Sequence, residues 1–424
     1  MRTIDDFTVP KEYEAPIEKL LKKIVRSLVD KEIMPYRRTF DEEWRHNPRI
    51  ESFYQKLFVD IGAQRFLWPA EYGGWNVGGS NWIGTAAYVV MEEIARADTG
   101  LAVAFGCGIG WSNFMIAFLP MRRNERLLEE ISNLYTKSDK PVIACMAMTE
   151  PQGGSDIENT EIEHGRTIQT TAELDGNEWV INGHKLWPTN SAEADLYGVI
   201  CTTKRGSTDD RDLAVIMVPA DKPGVKRGEP YHKAGMAADL NTDIWFDNVR
   251  VPDYYRACGP GEDMVFFKST LDNIGVLGSI SYCVGAMKNV YEILKEYVSK
   301  KTYHGRPLKE NDAIAGVLSD ITAKIEASHL MARQFARMID RPDQYGSYFS
   351  SEIRAKSRAT KLFVCERCNE VCSEAMDILG IHGYDRDHDI EKQWRDVKMI
   401  QLWMGGKQIC EMETARWFYE CETL

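Results

Sequence analysis

The stretch Met146-Ala147-Met148-Thr149-Glu150-Pro151-Gln152-Gly153-Gly154-Ser155-Asp156 joins an apolar run to a turn that contains two glycines. Glycine lets backbone amides approach a ligand closely, and Thr149 and Ser155 add hydroxyl groups. We interpret the stretch as the end of a strand that opens into a loop, suited to a flat polar heterocycle with carbonyl groups and a phosphate. The alternative is an ordinary β-turn without a ligand.

A second segment, Lys185-Leu186-Trp187-Pro188-Thr189-Asn190, follows the hairpin signal Asn182-Gly183 further along the chain. It places an indole and a hydroxyl group at the end of a predicted strand. An indole in that position can stack on a planar ring, but it can also simply cover the rim of a β core.

The pattern around these two segments predicts three regions. Alternating and short apolar runs, separated by Gly, Pro and Asp clusters, indicate a β domain from about Pro141 to Pro252. Apolar residues at three- and four-residue spacing indicate helices from about Ala15 to Tyr135. The same spacing predicts four long helices in the last third of the chain, over Ser279–Tyr297, Asp312–Met338, Lys356–Leu379 and Asp396–Phe418.

Composition excludes several classes of protein. The chain has 424 residues, 44% of them hydrophobic, and 52 Lys+Arg against 64 Asp+Glu, for a net charge of −12. This describes a folded protein with room for several domains, and its negative charge argues against nucleic acid as a partner. No apolar run has the length of a membrane span, and none at the N-terminus has the length of a secretory signal. We therefore expect a cytoplasmic location.

The ten cysteines favour reduced, mostly buried thiols over a disulfide framework. Cys365, Cys368 and Cys372 have spacings that place them on one face of a helix. They could ligate a metal cluster, but no fourth ligand is evident, so we predict core packing and no metal site.

With these motifs in view, the sequence resembles the acyl-CoA dehydrogenase family over nearly its whole length. The Thr-Glu-Pro-x-x-Gly-Ser-Asp motif of the family matches Thr149 to Asp156, and its Trp-x-Thr-Asn motif matches Trp187 to Asn190. Its Leu-Gly-Gly-x-Gly-(Tyr/Phe) pattern matches Leu379 to Tyr384, and its Arg-Asp pair matches Arg395-Asp396. Four motifs in the family's order make a chance resemblance improbable.

The resemblance implies an α+β fold with an N-terminal α-helical domain (1–138), a middle β-barrel-like domain (139–258) and a C-terminal four-helix bundle (259–424). It implies FAD between the last two, α,β-desaturation of an acyl-CoA, and usually a tetramer, a dimer of dimers. Electrons usually pass to an electron-transferring flavoprotein. The residues that the resemblance assigns to FAD are Met148, Thr149, Gly154, Ser155, Trp187 and Thr189 around the ring and pyrophosphate, and Lys301, His304 and Gly380 toward the tail.

The chain departs from the family at the catalytic base. The usual glutamate position, counted without gaps from Arg395-Asp396, is occupied by Met404, which cannot accept a proton. A second position used by some members falls near Asp272, which is predicted to lie a helical turn away. Asp98, at a predicted helix end, is the candidate base, with capping of the next helix as the alternative. Cys107 and Tyr384 are further candidates.

The FAD-tail positions also depart from the family. Lys301 and His304 replace an Arg and a Phe, Asp377 replaces a Gln, and Gly406 replaces a Thr. A carboxylate beside a diphosphate is unfavourable unless a cation intervenes. The sequence therefore matches the family more closely at the flavin-ring motifs than at the FAD-tail positions or at the catalytic base.

These departures leave three functions open. The first is a dehydrogenase with a displaced base that acts on a bulky, cyclic or aromatic-derived acyl-CoA. The second is a base-lacking subunit of a heteromeric acyl-CoA dehydrogenase. The third is a family member with non-desaturating chemistry, such as elimination, desulfination or monooxygenation.

Overall fold

The first part of the chain is helical, as the apolar spacing predicts. The computed structural model describes residue 4 and residues 14–77, 80–111, 124–158, 168–347 and 349–421. The N-terminal α-helices are α1 (Pro16–Glu32), α2 (Arg38–Glu42), α3 (Pro48–Tyr54), α4 (Ile83–Ala97), α5 (Thr99–Gly106) and α6 (Glu125–Thr136). Two π-helical segments, Gln55–Asp60 and Cys107–Trp111, continue α3 and α5, and short 3-10 turns span Ala63–Arg65 and Ala70–Tyr72.

Seven strands form the curled sheet of the middle region. They are β1 (Ala144–Ala147), β2 (Thr171–Asp175), β3 (Glu178–Lys185), β4 (Leu196–Thr202), β5 (Leu213–Pro219), β6 (Val225–Arg227) and β7 (Ile244–Pro252). The strand order is β1-β4-β2-β3-β7-β6, with β5 paired to β4. The pairs β2–β3, β3–β7, β4–β5 and β6–β7 are antiparallel, whereas β1 runs parallel to β4. In β1, Cys145 and Ala147 pack inside the sheet core, so the intervening Met146 faces the other way.

Long helices form the last third of the chain. They are α7 (Glu262–Ser269), α8 (Val276–Lys300), α9 (Asp312–Asp340), α10 (Pro342–Tyr345), α11 (Ser351–Leu379), α12 (Ile381–Tyr384), α13 (Ile390–Leu402) and α14 (Gly406–Tyr419). A π-helical turn, Thr270–Gly275, joins α7 to α8, and a two-stranded ribbon of β8 (Thr302–Tyr303) and β9 (Arg306–Pro307) joins α8 to α9. Helices α8, α9, α11 and α13 pack against one another as a four-helix bundle, and α14 packs on α11. The remaining 3-10 turns span Ser155–Glu158, Asp210–Asp212, Asp253–Tyr255, Leu308–Glu310 and Arg386–His388.

One predicted helix is wrong in its extent. The spacing predicts a single helix over Asp396–Phe418, but the chain breaks between α13 and α14. Met404, Gly405 and Gly406 all have positive φ angles, of 52°, 72° and 61°. Two consecutive glycines make this left-handed turn accessible, since they lack the Cβ that disfavours it.

The two helical regions share one hydrophobic core. Residues of α4 and α5, including Ile94 and Val103, pack in the same cluster as Ile280 of α8 and Val371 of α11. The predicted packing of Cys365, Cys368 and Cys372 is confirmed, since all three are buried in this cluster. None of the helices in the described ranges is both long and apolar enough to cross a membrane.

Candidate active site

A cavity of about 1090 Å³ lies where the N-terminal helices, one end of the sheet and the C-terminal bundle meet. Its lining brings together five of the predicted flavin-ring residues, Met148, Thr149, Ser155, Trp187 and Thr189. Gly154 lies beneath Thr149, as described below. The two sequence motifs, far apart in the chain, therefore face one common space.

A buried ion pair holds the first motif in place. Glu150 and Lys185 are both almost fully buried, and Lys185 Nζ lies 2.7 Å from Glu150 Oε1. Lys185 Nζ also donates to the carbonyl of Met148 at 2.9 Å. Backbone amides of Gln169 and Thr170 donate to the same carboxylate, at 2.7 and 3.0 Å. Burial opposes ionisation of Glu150, but Lys185 and these amides outweigh it and hold the pKa of the carboxyl below its usual value.

A direct backbone bond joins the two motifs. The amide of Leu186 donates to the carbonyl of Thr149 at 2.9 Å, which sets Trp187 beside the loop. Trp187 has a φ of 69°, and its indole stacks on Tyr231 with ring centroids 4.0 Å apart. Asn241 Nδ2 donates to the carbonyl of Trp187 at 3.0 Å. A bulky residue in a left-handed conformation is strained, so its surroundings fix both the backbone and the indole.

Asp239 organises the end of the second motif. Its carboxylate accepts from Thr189 Oγ1 at 3.2 Å and from the amide of Asn190 at 3.1 Å. Lys233 Nζ lies 3.8 Å from the same carboxylate, and burial lowers the pKa of this lysine. Asn190 Nδ2 in turn donates to the carbonyl of Ala104 at 2.8 Å, which ties the sheet to α5.

The residues around Gly154 fit a flavin. A Cβ added at Gly154 would lie 2.9 Å from Thr149 Oγ1 and 3.0 Å from Thr149 Cα, so only glycine permits this tight fold. Thr149 and Ser155, which carry hydroxyl groups, line the cavity together with Trp187. Hydroxyls beside a planar aromatic wall suit a flat ring with polar edges.

We expect Gly154→Ala to weaken flavin binding. The added methyl group must displace Thr149, and a displacement that costs about 1.4 kcal/mol lowers affinity about tenfold. Affinity is measured by the change in flavin fluorescence when apoprotein is titrated with FAD. Gly316→Ala is the matched control, because a Cβ at this α9 position meets no atom within 4 Å and alanine favours a helix. Equal affinities of Gly154→Ala and the wild type would contradict the prediction.

The predicted tail residues lie elsewhere. Lys301, His304 and Gly380 are exposed, at the end of α8, in the β8–β9 turn and after α11. None of the three is among the described residues that line the cavity. Within one chain they are therefore not brought to the flavin-ring residues.

Met404 lies on the cavity at the point where α13 ends. Its carbonyl accepts from Arg358 Nη1 at 3.0 Å, and the carbonyl of Trp403 accepts from Lys361 Nζ at 3.0 Å. The Trp403 indole donates to Ser279 Oγ at 3.0 Å. Two buried cations of α11 thus hold the turn that carries Met404.

Asp98 does not line the cavity among the described residues. Its side chain is fully buried, accepts from the amide of Leu101 at 2.7 Å as the N-cap of α5, and lies 2.8 Å from Lys392 Nζ. These contacts match the capping role that the sequence leaves as the alternative. Of the further candidates, Cys107 lines the cavity but burial raises its pKa, and Tyr384 is exposed on α12.

The part of the cavity formed by the N-terminal helices is apolar. Its lining residues from the N-terminal helices and the loops between them carry no charge among the described residues: Ile17, Leu20, Leu21, Ile24, Val25, Leu57, Ile61, Ala63, Phe66, Leu67, Trp75, Ile83, Ala87, Val90, Met91, Phe105, Gly106, Cys107 and Ile109. Leu20 and Trp75 are half-exposed, so the cavity reaches the surface of these helices. An apolar passage of this kind suits a hydrophobic group.

Several cavity residues with ionisable side chains are not singled out by the sequence, among them Glu158, Lys233 and Asp239. Glu158 and Lys233 carry no motif signal, and Asp239 lies in a loop before β7. The available signal for Glu158 is its position two residues after Asp156, inside the turn that the motif begins. Tertiary folding alone brings Lys233 and Asp239 to the cavity.

Models of three protein-family domains match the chain in the order of its three regions. They are the acyl-CoA dehydrogenase N-terminal domain over residues 16–129, the middle domain over 145–249 and the C-terminal domain over 273–418.

Individual relatives match nearly end to end. Cyclohex-1-ene-1-carbonyl-CoA dehydrogenase of Geobacter metallireducens is 26% identical, covering 94% of this chain and 97% of the relative. Cyclohexane-1-carbonyl-CoA dehydrogenase of Syntrophus aciditrophicus is 27% identical, covering 92% and 94%. The structure of butyryl-CoA dehydrogenase from Megasphaera elsdenii superposes with a TM-score of 0.81 at 21% identity, covering 95% and 98%. The chain therefore belongs to the acyl-CoA dehydrogenase family of FAD-dependent oxidoreductases that act on CH–CH bonds.

Proposed function

We propose that this protein desaturates an acyl-CoA thioester with a bulky, cyclic or aromatic-derived acyl group. The observation that carries the proposal is the continuity of one cavity from the flavin-ring residues into the uncharged passage through the N-terminal helices. A passage lined by branched aliphatic and aromatic side chains favours an apolar acyl group over a charged one.

The residues assigned to FAD act in this proposal by binding and orientation. Thr149, Gly154 and Ser155 would hold the ring edge and pyrophosphate, while Trp187 and Thr189 would cover the ring. When bound, FAD supplies the acceptor for the hydride that leaves the β-carbon. The apolar lining keeps water from the reacting carbons, which strengthens electrostatic interactions in the site.

The named relatives support the cyclic part of the proposal. Two of them are named for cyclic acyl-CoA substrates, cyclohex-1-ene-1-carbonyl-CoA and cyclohexane-1-carbonyl-CoA. Similarity of about a quarter of the residues does not carry a substrate across, so the acyl group remains a proposal for this chain.

We further propose an oligomer that completes the FAD tail site. Ile381 and Tyr384, next to Gly380, are 83% and 79% exposed, and Tyr419 at the end of α14 is 81% exposed. Large apolar side chains in such positions favour burial against another chain. A neighbouring copy or a related chain would then face Lys301 and His304. A cytoplasmic location and an electron-transferring flavoprotein as acceptor stay predictions.

The test is an anaerobic titration of the purified, FAD-loaded protein. We expect the flavin absorbance band to bleach on addition of cyclohexane-1-carbonyl-CoA or another bulky thioester. Butyryl-CoA should bleach it more slowly, because a short chain leaves much of the apolar passage unfilled. Size-exclusion chromatography with light scattering on the same sample reports the assembly.

Two outcomes would contradict the proposal. A yellow protein that no saturated thioester reduces would favour the non-desaturating chemistry. A protein that becomes yellow and reducible only after mixing with a related chain would favour the heteromeric assembly.

A further inference from the structure

Two carboxylates line the cavity among the residues that the structure describes, Glu158 and Asp239. Asp239 is already engaged, since its oxygens accept from Thr189 and Asn190 and lie near Lys233. A proton acceptor needs a carboxylate whose lone pairs are not committed to structural bonds. Glu158 is therefore the carboxylate to consider.

Glu158 ends the 3-10 turn Ser155–Glu158, directly after the flavin-ring loop. It is 2% exposed, and its Oε2 atom has no hydrogen-bond partner among the described residues. A buried carboxyl oxygen without a partner is costly, so it usually has a function or a ligand. Because Glu158 lines the cavity, a ligand bound there could lie close to its carboxyl group.

Glu158 and Met404 both line the cavity, and charged groups near the Met404 turn act on Glu158. Arg358 acts on its carboxyl group, as do Asp272, Lys361 and Glu413. Arg358 also donates to the carbonyl of Met404, and Lys361 donates to that of Trp403. Arg358 and Lys361 therefore act on Glu158 and also bind the turn that contains Met404.

Arg358 does not neutralise Glu158 by itself, because two other carboxylates share its charge. Its guanidinium contacts Asp272 Oδ1 and lies 3.4 Å from Glu413 Oε2. Burial raises the pKa of Glu158 and Arg358 offsets only part of that rise, so the net value is about 8. A carboxyl group that ionises near neutral pH is well matched to proton transfer.

We propose that Glu158 is the acid–base residue that removes the α-proton of the thioester, in place of the glutamate that Met404 replaces. In this step the α-C–H bond breaks, the proton goes to the Glu158 carboxylate, and the electron pair stays on the thioester as an enolate. FAD, when bound, would accept the hydride that leaves the β-carbon, and the electron pair of the enolate would then form the C=C bond. The assignment rests on the proposed function.

The test separates proton removal from hydride transfer. The probe is a 3-thia-acyl-CoA, whose sulfur at the β position has no hydride to give, incubated with FAD-loaded protein in D2O. Exchange of its α-protons is followed by proton NMR. We expect Glu158→Gln to slow exchange by about a hundredfold or more, with an unchanged flavin spectrum and unchanged affinity for the probe. Glu158→Asp should retain part of the rate.

Asp98→Asn is the control, because it also removes a buried carboxylate but one outside the cavity lining. If α-proton exchange persists in Glu158→Gln, Glu158 is not the base. If exchange is lost in Asp98→Asn but not in Glu158→Gln, Asp98 is the base instead. If the wild type exchanges the α-protons of no thioester, the proposed function is wrong, and the role of Glu158 that rests on it is wrong as well.

A second readout does not need the thioester or the flavin. Because the pKa of Glu158 is raised in the folded state, ionisation of this group lowers stability as pH rises from its usual range, roughly 4.3, to about 8. Glutamine does not ionise, so the melting temperature of Glu158→Gln relative to the wild type should rise across that window and level off above it. A difference in melting temperature that does not change with pH would contradict the raised pKa of Glu158. Exchange in the wild type should correspondingly increase with pH as Glu158 ionises.

Discussion

We expect Arg358→Met to lower the free energy of unfolding by about 3–5 kcal/mol. Arg358 is fully buried, and its guanidinium is shared by Asp272, Glu413 and the carbonyl of Met404. Methionine fills much of the same space but leaves Asp272 and Glu413 without their buried cation. Uncompensated buried charge is among the most destabilising changes known in protein interiors. Urea denaturation followed by circular dichroism measures the loss.

The loss should depend on pH. Burial raises the pKa of Asp272 to about 6 even with Arg358 present, and removing the cation raises it further. Protonation of Asp272 at low pH removes its uncompensated charge in the variant. The loss of unfolding free energy relative to the wild type should therefore be smaller near pH 5 than near pH 8. If Arg358→Met does not fold, the same loss of unfolding free energy and its pH dependence can be measured on Arg358→Lys, which keeps the positive charge.

The control for this prediction is Arg354→Met. Arg354 Nε lies 3.7 Å from Glu413 Oε2 and 4.0 Å from Asp272 Oδ2, with a partly exposed side chain. Partly hydrated pairs of this length contribute less than about 1 kcal/mol. A loss as large as that of Arg358→Met would show that net charge, not the buried contact, sets the stability of this region.

The second large effect concerns Lys185→Met. We expect it to cost about 3–5 kcal/mol of unfolding free energy and to lower FAD affinity at least tenfold. Lys185 is the buried cation that pairs with Glu150 and holds the carbonyl of Met148. Without it the carboxylate repels that carbonyl and the loop moves away from the flavin-ring position. Denaturation curves and FAD titration report the two effects separately.

The double variant Lys185→Met/Glu150→Gln is the matched comparison. It removes the uncompensated charge, so it should be more stable than Lys185→Met alone, while the affinity for FAD stays low. No recovery of stability in the double variant would show that packing around Lys185, and not the charge of Glu150, explains the loss.

The sequence predicts the broad fold because its signals are local. Apolar spacing marks α8, α9 and α11 to within a few residues, and alternation marks the middle sheet. The break at Met404 escapes it because helical spacing continues through Gly405-Gly406. Glycine is tolerated in a helix at a cost of about 1 kcal/mol, so two glycines alone do not decide between a helix and a turn.

The grouping of the residues proposed for the flavin ring could be predicted because they stand in contiguous motifs. Thr149, Ser155, Trp187 and Thr189 each stand in a short pattern, and the structure gathers them on one cavity. The importance of Lys185 and Glu150 is less evident from the sequence, since their ion pair joins the loop after β1 to the end of β3.

Sequence alone determined the order of helical, β and helical regions and the family, and it predicts that Met404 stands at the usual base position. It could not say where a replacement base would lie. A carboxylate acts as a base only through its burial, its partners and its access to the substrate, and these depend on residues distant in the chain. The tertiary structure places Asp98 in a cap beside Lys392, and it places Glu158 on the cavity among charges from α11, α14 and the turn before α8.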